Sequence, residues 1–203
     1  MRRINYLNEE IARWAFEILC KEQNSWHIAF TNPTAGPWKT IKAKALNSTE
    51  EGEVYRFILE EDRPDIIIYN DSLKAIIIIE AKDTLEKLLV GDQLDKSTEV
   101  VIKLARILNA KASNKFWCGR ENYTVILGLL WGSTDTPETP AKKNNLFDSY
   151  QRRIKNKVIV ENNLIIGIET LFHADSLACS LFYKNYDNKA EELGQAVVDS
   201  FKK

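Results

Sequence analysis

The chain has 203 residues, 44% of them hydrophobic and 28% charged, with a formal net charge of −1. That length and balance suit a single domain spanning residues 1–203, of ordinary soluble globular kind. No apolar stretch is long enough to cross a membrane, and the net charge gives no global electrostatic attraction to nucleic acid. The N-terminus Met1-Arg2-Arg3-Ile4-Asn5 lacks the apolar run of a signal peptide. Cys20, Cys118 and Cys179 are odd in number and scattered. They form no zinc pattern and suit a reducing cytoplasm, which is the expected location.

In chain order, residues 6–22 predict an amphipathic helix, with Leu7, Ile11, Trp14, Ala15 and Ile18 at helical spacing. Residues 24–50, with Pro33, Gly36 and Pro37, read as loop with room for one short strand. Residues 53–59 are a first strand candidate. The runs Asp65-Ile66-Ile67-Ile68-Tyr69 and Ala75-Ile76-Ile77-Ile78-Ile79 read as strands buried on both faces. Asn70, Asp71 and Ser72 between them are turn formers, so the pair reads as a hairpin.

Ser97 or Thr98 can cap a helix running to about residue 110. Tyr123 to Trp131 reads as another buried strand, which makes a crossover and a parallel pair. Residues 133–157 lose this regularity and read as a long excursion with Pro137, Pro140 and a basic run. Leu164 to Ile168 is a last strand candidate, followed by helices at about 170–182 and 188–202. The sum is an α/β fold: a central mixed sheet of four to five strands with helices on both faces.

The charges at one end of the hairpin carry the chemistry. With an even-numbered hairpin loop, Asp65, Ile78, Glu80 and Lys82 share one face. A two-residue loop at 72–73 sets Asp65 directly opposite Glu80; a four-residue loop at 70–73 makes them diagonal neighbours. Either spacing, roughly 4.5–8 Å between Cβ atoms, lets two carboxylates share an oxygen-seeking ion such as Mg²⁺. A three-residue loop would send Asp65 to the opposite face.

Pro64-Asp65, a gap of fourteen residues, and then Glu80-Ala81-Lys82 resembles the PD-(D/E)XK nuclease superfamily. That superfamily includes restriction endonucleases, Holliday-junction resolvases and many repair nucleases. The resemblance covers residues 60–85 directly and the order of surrounding elements more loosely. It implies a restriction-endonuclease-like fold and Asp65, Glu80 and Lys82 as catalytic residues. It implies Mg²⁺, with Mn²⁺ as a substitute, held by Asp65, Glu80 and the backbone carbonyl of Ala81. It further implies phosphodiester hydrolysis in double-stranded DNA, most like a type II restriction endonuclease acting as a homodimer. The alternatives are a repair, recombination or transposition nuclease of the same fold, and a nucleic-acid-binding module without cleavage. Segment 133–157, through Arg152, Arg153 and Lys155, is the candidate DNA contact.

Such metal sites often gain a third acid from the first helix; Glu10 is preferred here, with Glu17 and Glu53 as alternatives. His27, which could act as the metal-binding histidine of some viral relatives, reads as an ordinary loop residue. His173 reads as structural or surface. Gln93 and Lys96 are candidate substrate contacts. No Gly-rich phosphate loop, His-Glu-x-x-His or Gly-x-Ser-x-Gly pattern occurs.

Overall fold

The computed structural model describes residues 2–22, 25–31, 64–89, 120, 122–134, 136–154, 164–173, 176–185 and 190–202. In order these form α1 (Arg2–Glu22), β1 (His27–Thr31), β2 (Ile66–Asn70), β3 (Ala75–Lys82) and α2 (Leu85–Leu89). There follow β4 (Thr124–Thr134), α3 (Pro140–Ile154), β5 (Leu164–His173), β6 (Ser176–Asn185) and α4 (Glu191–Asp199). The strand candidate at 53–59 and the helix candidate starting at Ser97 or Thr98 lie outside the described residues.

The six strands make one mixed sheet in chain order, β1 to β6. β1, β2 and β3 form an antiparallel meander; β4 and β5 join parallel, and β6 returns antiparallel. The sheet is therefore larger than the four to five strands expected. Its two sides follow from the strand period of two. Ile66, Ile68, Ile77, Ile79, Ile126, Leu130, Ile166 and Ile168 pack with Phe16 of α1 and Val197 of α4. The alternate positions, Ile67, Ile78, Leu129, Trp131 and Ile165, are buried on the other side, where α3 contributes Leu146, Phe147 and Tyr150. A hairpin buried on both faces is what its unbroken isoleucine runs predict.

Two stretches differ from expectation. Of residues 170–182, expected as a helix, 170–173 are the end of β5 and 176–182 are most of β6. Leu171, Ala174, Ala178 and Leu181 mimic helical spacing, but the ladder running from Leu164↔Asn185 to His173↔Ser176 satisfies the backbone instead. His173 thus ends a strand rather than starting a helix. Residues 133–157, expected as irregular, contain the helix α3. Thr139-Pro140 is its start signal: proline is tolerated at the first helical position, and the Thr139 side chain accepts from the Lys142 amide at 3.4 Å. Read as a breaker, the proline hid the helix.

α3 is fastened to the sheet by Glu169 of β5, 1% exposed. Its Oε1 accepts from Ser133 Oγ at 2.9 Å, from the Glu138 amide at 2.6 Å and from Trp131 Nε1 at 3.4 Å. Its Oε2 pairs with Lys143 Nζ at 2.5 Å. Beside it, Gly167 leaves room for aromatics: a Cβ there would meet Phe182 at 2.5 Å and Phe147 at 2.8 Å.

Burial pushes the Glu169 carboxyl up, but the bonds from Lys143, Glu138 and Ser133 hold it below the ordinary glutamate range. A carboxyl depressed on folding stabilises above its unfolded value, about 4.3, and that contribution drains as pH falls through the lower folded value. Glu169→Gln should cost about 1–3 kcal/mol at pH 7. Urea unfolding at descending pH should show the gap between variant and wild type narrowing in acid. A constant gap would mean that the charge of Glu169 contributes nothing.

Candidate metal and catalytic site

The hairpin turn occupies residues 71–74, and the last pair before it is Asn70↔Ala75. Asn70 Oδ1 accepts from the Leu73 amide at 2.9 Å, which closes the turn. The register runs Ile66↔Ile79 to Asn70↔Ala75, the same register a two-residue loop at 72–73 would set. Continued by one step, it brings Asp65 to Glu80. There the chain bends: the Asp65 amide donates to the Ile79 carbonyl at 3.0 Å, and Asp65 Oδ2 accepts from the Ala81 amide at 2.8 Å. Asp65 is thereby clamped across the end of the hairpin.

The three hairpin charges do meet. Lys82 Nζ lies 2.6 Å from Glu80 Oε1, 2.7 Å from the Ala81 carbonyl and 3.9 Å from Asp65 Oδ2. So the oxygens expected to hold an ion converge on one cationic point. Both side chains are mostly withdrawn from water, Lys82 at 19% and Glu80 at 12% exposure. The site sits at the C-terminal end of β3, where the sheet changes from antiparallel to parallel pairing. Open α/β sheets bind ligands outside the carboxyl ends of such strands.

Helix α1 supplies two further groups that the sequence reading missed. Arg13 Nη1 lies 3.7 Å from Asp65 Oδ1, and its Nη2 reaches Thr31 Oγ1 at 3.4 Å. Thr31 Oγ1 donates in turn to Glu17 Oε1 at 2.7 Å. Glu17 therefore orients Thr31 and Arg13 rather than joining the acids. Glu9 is the helix acid that the field of the site reaches: Lys82, Asp65, Arg13 and Asp83 all perturb it. Glu10 is exposed, and Glu53 lies outside the described residues.

Glu10 lies on the exposed side because α1 is turned otherwise than its apolar spacing suggests. The expected apolar face centred on Trp14, which is 58% exposed. The buried face is Ala12, Phe16 and Cys20, one residue round the helix. Glu9 and Arg13 lie at the i, i+4 spacing that continues this face. The available signal was the small residues Ala12 and Cys20, which let the helix approach the sheet closely.

Electrostatically the site is over-supplied with acid. Glu9, Asp65, Glu80 and Asp83 gather near Arg13 and Lys82, with Lys87 on Asp83 at 2.5 Å. Burial, then Asp65 and Glu9, push the Glu80 carboxyl up to about 7 despite the ammonium beside it. Burial, Asp65 and Asp83 likewise push Glu9 up against the pull of Lys82 and Arg13. Lys82 itself is held above its ordinary value, because Glu80 and Asp65 outweigh the burial that disfavours its charge. A second cation would relieve this imbalance.

The donor set suits a hard ion. Mg²⁺ prefers oxygen ligands and takes one or two carboxylates, leaving positions for water and substrate phosphate. Among the described residues, no group of three or more His, Cys, Asp and Glu side chains forms an ion cage by itself.

The remaining expected residues are placed elsewhere. His27 packs at a tilt against Tyr69, ring centroids 5.1 Å apart, at the opposite end of β2 from Asp65. Arg152 is exposed in the last turn of α3, with Nε on the Asp148 carbonyl at 3.2 Å. Asp148 is tied to Lys184 at 3.0 Å, and Lys184 is level through Ile165 and Leu127 with Ile78. That level is about 13 Å along the sheet from Lys82. Arg153 shares this turn of helix; Lys155, Gln93 and Lys96 lie outside the described residues. Lys142 is engaged by Glu86 at 2.7 Å and Glu138 at 3.0 Å.

Comparison with protein-family models, with curated proteins and with solved structures returned no match.

If Glu80 is ionised at a cost, its removal should stabilise the metal-free protein. Glu80→Gln in EDTA at pH 8 should raise the melting temperature by about 2–4 °C, the worth of roughly 1 kcal/mol at this size. A lower melting temperature would instead make the Glu80–Lys82 pair a net structural asset.

Proposed function

We propose that the chain is a Mg²⁺-dependent endonuclease of restriction-endonuclease-like fold, hydrolysing phosphodiester bonds in double-stranded DNA. The observation that carries this reading is the convergence of Asp65 Oδ2, Glu80 Oε1 and the Ala81 carbonyl on one cationic point. The order of elements supports it as well: a helix, an antiparallel meander bearing the acids, and then a parallel strand.

In this reading Asp65, Glu80 and the Ala81 carbonyl hold the ion. Bound there, Mg²⁺ would supply charge neutralisation at the scissile phosphate and a more acidic water. Asp65 is kept in place by the Ala81 amide on Oδ2 and by Arg13 beside Oδ1. Lys82 brings positive charge to the phosphate oxygens as charge builds in the transition state, or orients the attacking water. Burial and the neighbouring acids raise the Glu80 carboxyl, as expected of a carboxylate that a divalent ion would favour.

The end of α3 that carries Arg152 and Arg153 would meet phosphates away from the scissile bond. A type II restriction enzyme working as a homodimer is the preferred form. A structure-selective repair, recombination or transposition nuclease uses the same site.

One contact favours a second reading. The 2.6 Å pairing of Lys82 with Glu80 is what a structural ion pair in a non-cleaving binding module would show. Against it stands the unneutralised acid around that pair. A structural pair would be expected to balance, since buried charge without a partner is costly.

Incubation of the chain with plasmid DNA and MgCl₂ separates these readings: discrete fragments for a restriction enzyme, a smear for an unselective nuclease, intact plasmid for a binding module. Asp65→Asn and Lys82→Ala should each slow cleavage about a hundredfold or more, about 2.7 kcal/mol of barrier. Lys82→Ala should keep its affinity for DNA, so that the loss appears at saturating substrate. Cleavage by Asp65→Asn at the wild-type rate would remove the metal assignment.

Replacing Arg152 and Arg153 together by alanine should flatten the salt dependence of DNA affinity by roughly one unit of slope per lost phosphate contact. An unchanged affinity at two salt concentrations would take this end of α3 out of the interface.

A further inference from the structure

We propose that Lys82 acts as an internal plug of the metal position: its ammonium holds the ligand oxygens in the metal-free protein, and divalent metal binds only by displacing it. This inference rests on the metal-site reading above and adds how that site is regulated.

The geometry of the ammonium is the starting point. Nζ contacts Glu80 Oε1 at 2.6 Å and the Ala81 carbonyl at 2.7 Å, and approaches Asp65 Oδ2 at 3.9 Å. These are the oxygens assigned to the ion. A Mg²⁺-sized ion sits about 2.1 Å from its oxygen ligands. An ion shared by these oxygens would fall into the space that Nζ fills, and two cations cannot crowd there without strong repulsion.

The arrangement has a structural logic. Acids gathered and partly buried without a cation would repel and destabilise the fold. A lysine on the same strand, two residues from Glu80, supplies a tethered cation at no cost in association entropy. Its flexible stem also lets it leave, which the rigid fork of arginine would resist. Arg13 is the contrast: only 6% exposed and also engaged by Thr31, it stays on Asp65 Oδ1. One cation is therefore fixed and the other movable.

Displacement has a consequence for the reaction. The ammonium that leaves Glu80 remains tethered at the rim of the site, where the scissile phosphate would lie. Metal arrival would then set the catalytic lysine in place, and the site would be competent only once loaded.

The test is calorimetric titration of the full chain with MnCl₂, for wild type, Lys82→Met, Lys87→Met and Asp65→Asn, together with a crystal of the wild type soaked in MnCl₂. Lys82→Met should bind Mn²⁺ at least about tenfold more tightly than wild type. Lys87→Met removes a nearby, half-exposed charge without opening the site, and should change affinity by about twofold at most. In the soaked crystal the anomalous manganese peak should lie against Glu80 Oε1 and the Ala81 carbonyl, with Nζ gone from both.

Equal or weaker binding by Lys82→Met overturns the plug, as does an equal gain in Lys87→Met. If wild type binds and Asp65→Asn does not, those two results overturn the plug alone and leave the metal site standing. No binding by wild type or Lys82→Met overturns both. Should Lys82→Met fail to fold, the soaked crystal decides: manganese bound with the Lys82 contacts intact overturns the plug.

Discussion

The register of β2 against β3 is the constraint on which the rest of the molecule depends. Both strands are buried on both faces, so neither can slide without exposing isoleucine or burying charge. A one-residue slip exchanges every side chain between the two sides of the sheet. The turn at 71–74, closed by Asn70, sets the register, and the register sets which groups meet at the far end of the hairpin. Asp65, Glu80 and Lys82 are neighbours because the five pairs behind them, from Ile66↔Ile79 to Asn70↔Ala75, fix the register that leads to them.

From that end the sheet organises two charged centres of opposite character. Around Glu169 every oxygen is met by donors, and the carboxyl is held ionised. Such a fully bonded buried acid fixes neighbouring elements in place, here the approach to α3 and the helix itself. Around Glu80 the acids outnumber what their cations offset, and the carboxyl is pushed the other way. Lys82, Trp131 and Glu169 stand level across three adjacent strands. Burial raises both carboxyls; at Glu169 the bonds from Lys143, Glu138 and Ser133 outweigh it, and at Glu80 burial and the neighbouring acids outweigh Lys82. One centre is complete as built, and at the other the carboxyl is left short of donors.

Helix α1 links packing to chemistry. Its small buried residues Ala12 and Cys20 and its ring at Phe16 seat it on the sheet, and Phe201 stacks between Phe16 and Trp26 to hold the chain ends together. That seating carries Arg13 to Asp65 and Glu9 into the field of the site. The helix is thus rotated by its core contacts, and its polar groups arrive where the rotation sends them.

The sequence by itself determined the hairpin, its burial on both faces, the parallel strand that follows, and the closing helix. All of these rest on local spacing, because a period of two and a turn are written in consecutive residues. Between the registers left open, only the pairing of Asn70 with Ala75 decided. Only the tertiary structure decided that residues 170–173 and 176–182 pair as strand, since the ladder from Leu164↔Asn185 to His173↔Ser176 outweighed a helix-like spacing of leucine and alanine. It also decided that Pro140 starts a helix, since the face of Leu146, Phe147 and Tyr150 found the sheet to pack upon. The choice of Glu9 over Glu10, and the arrival of Arg13, depended on how far α1 turns about its own axis. That angle is set by close packing of small side chains against a distant part of the chain, and no local pattern encodes it.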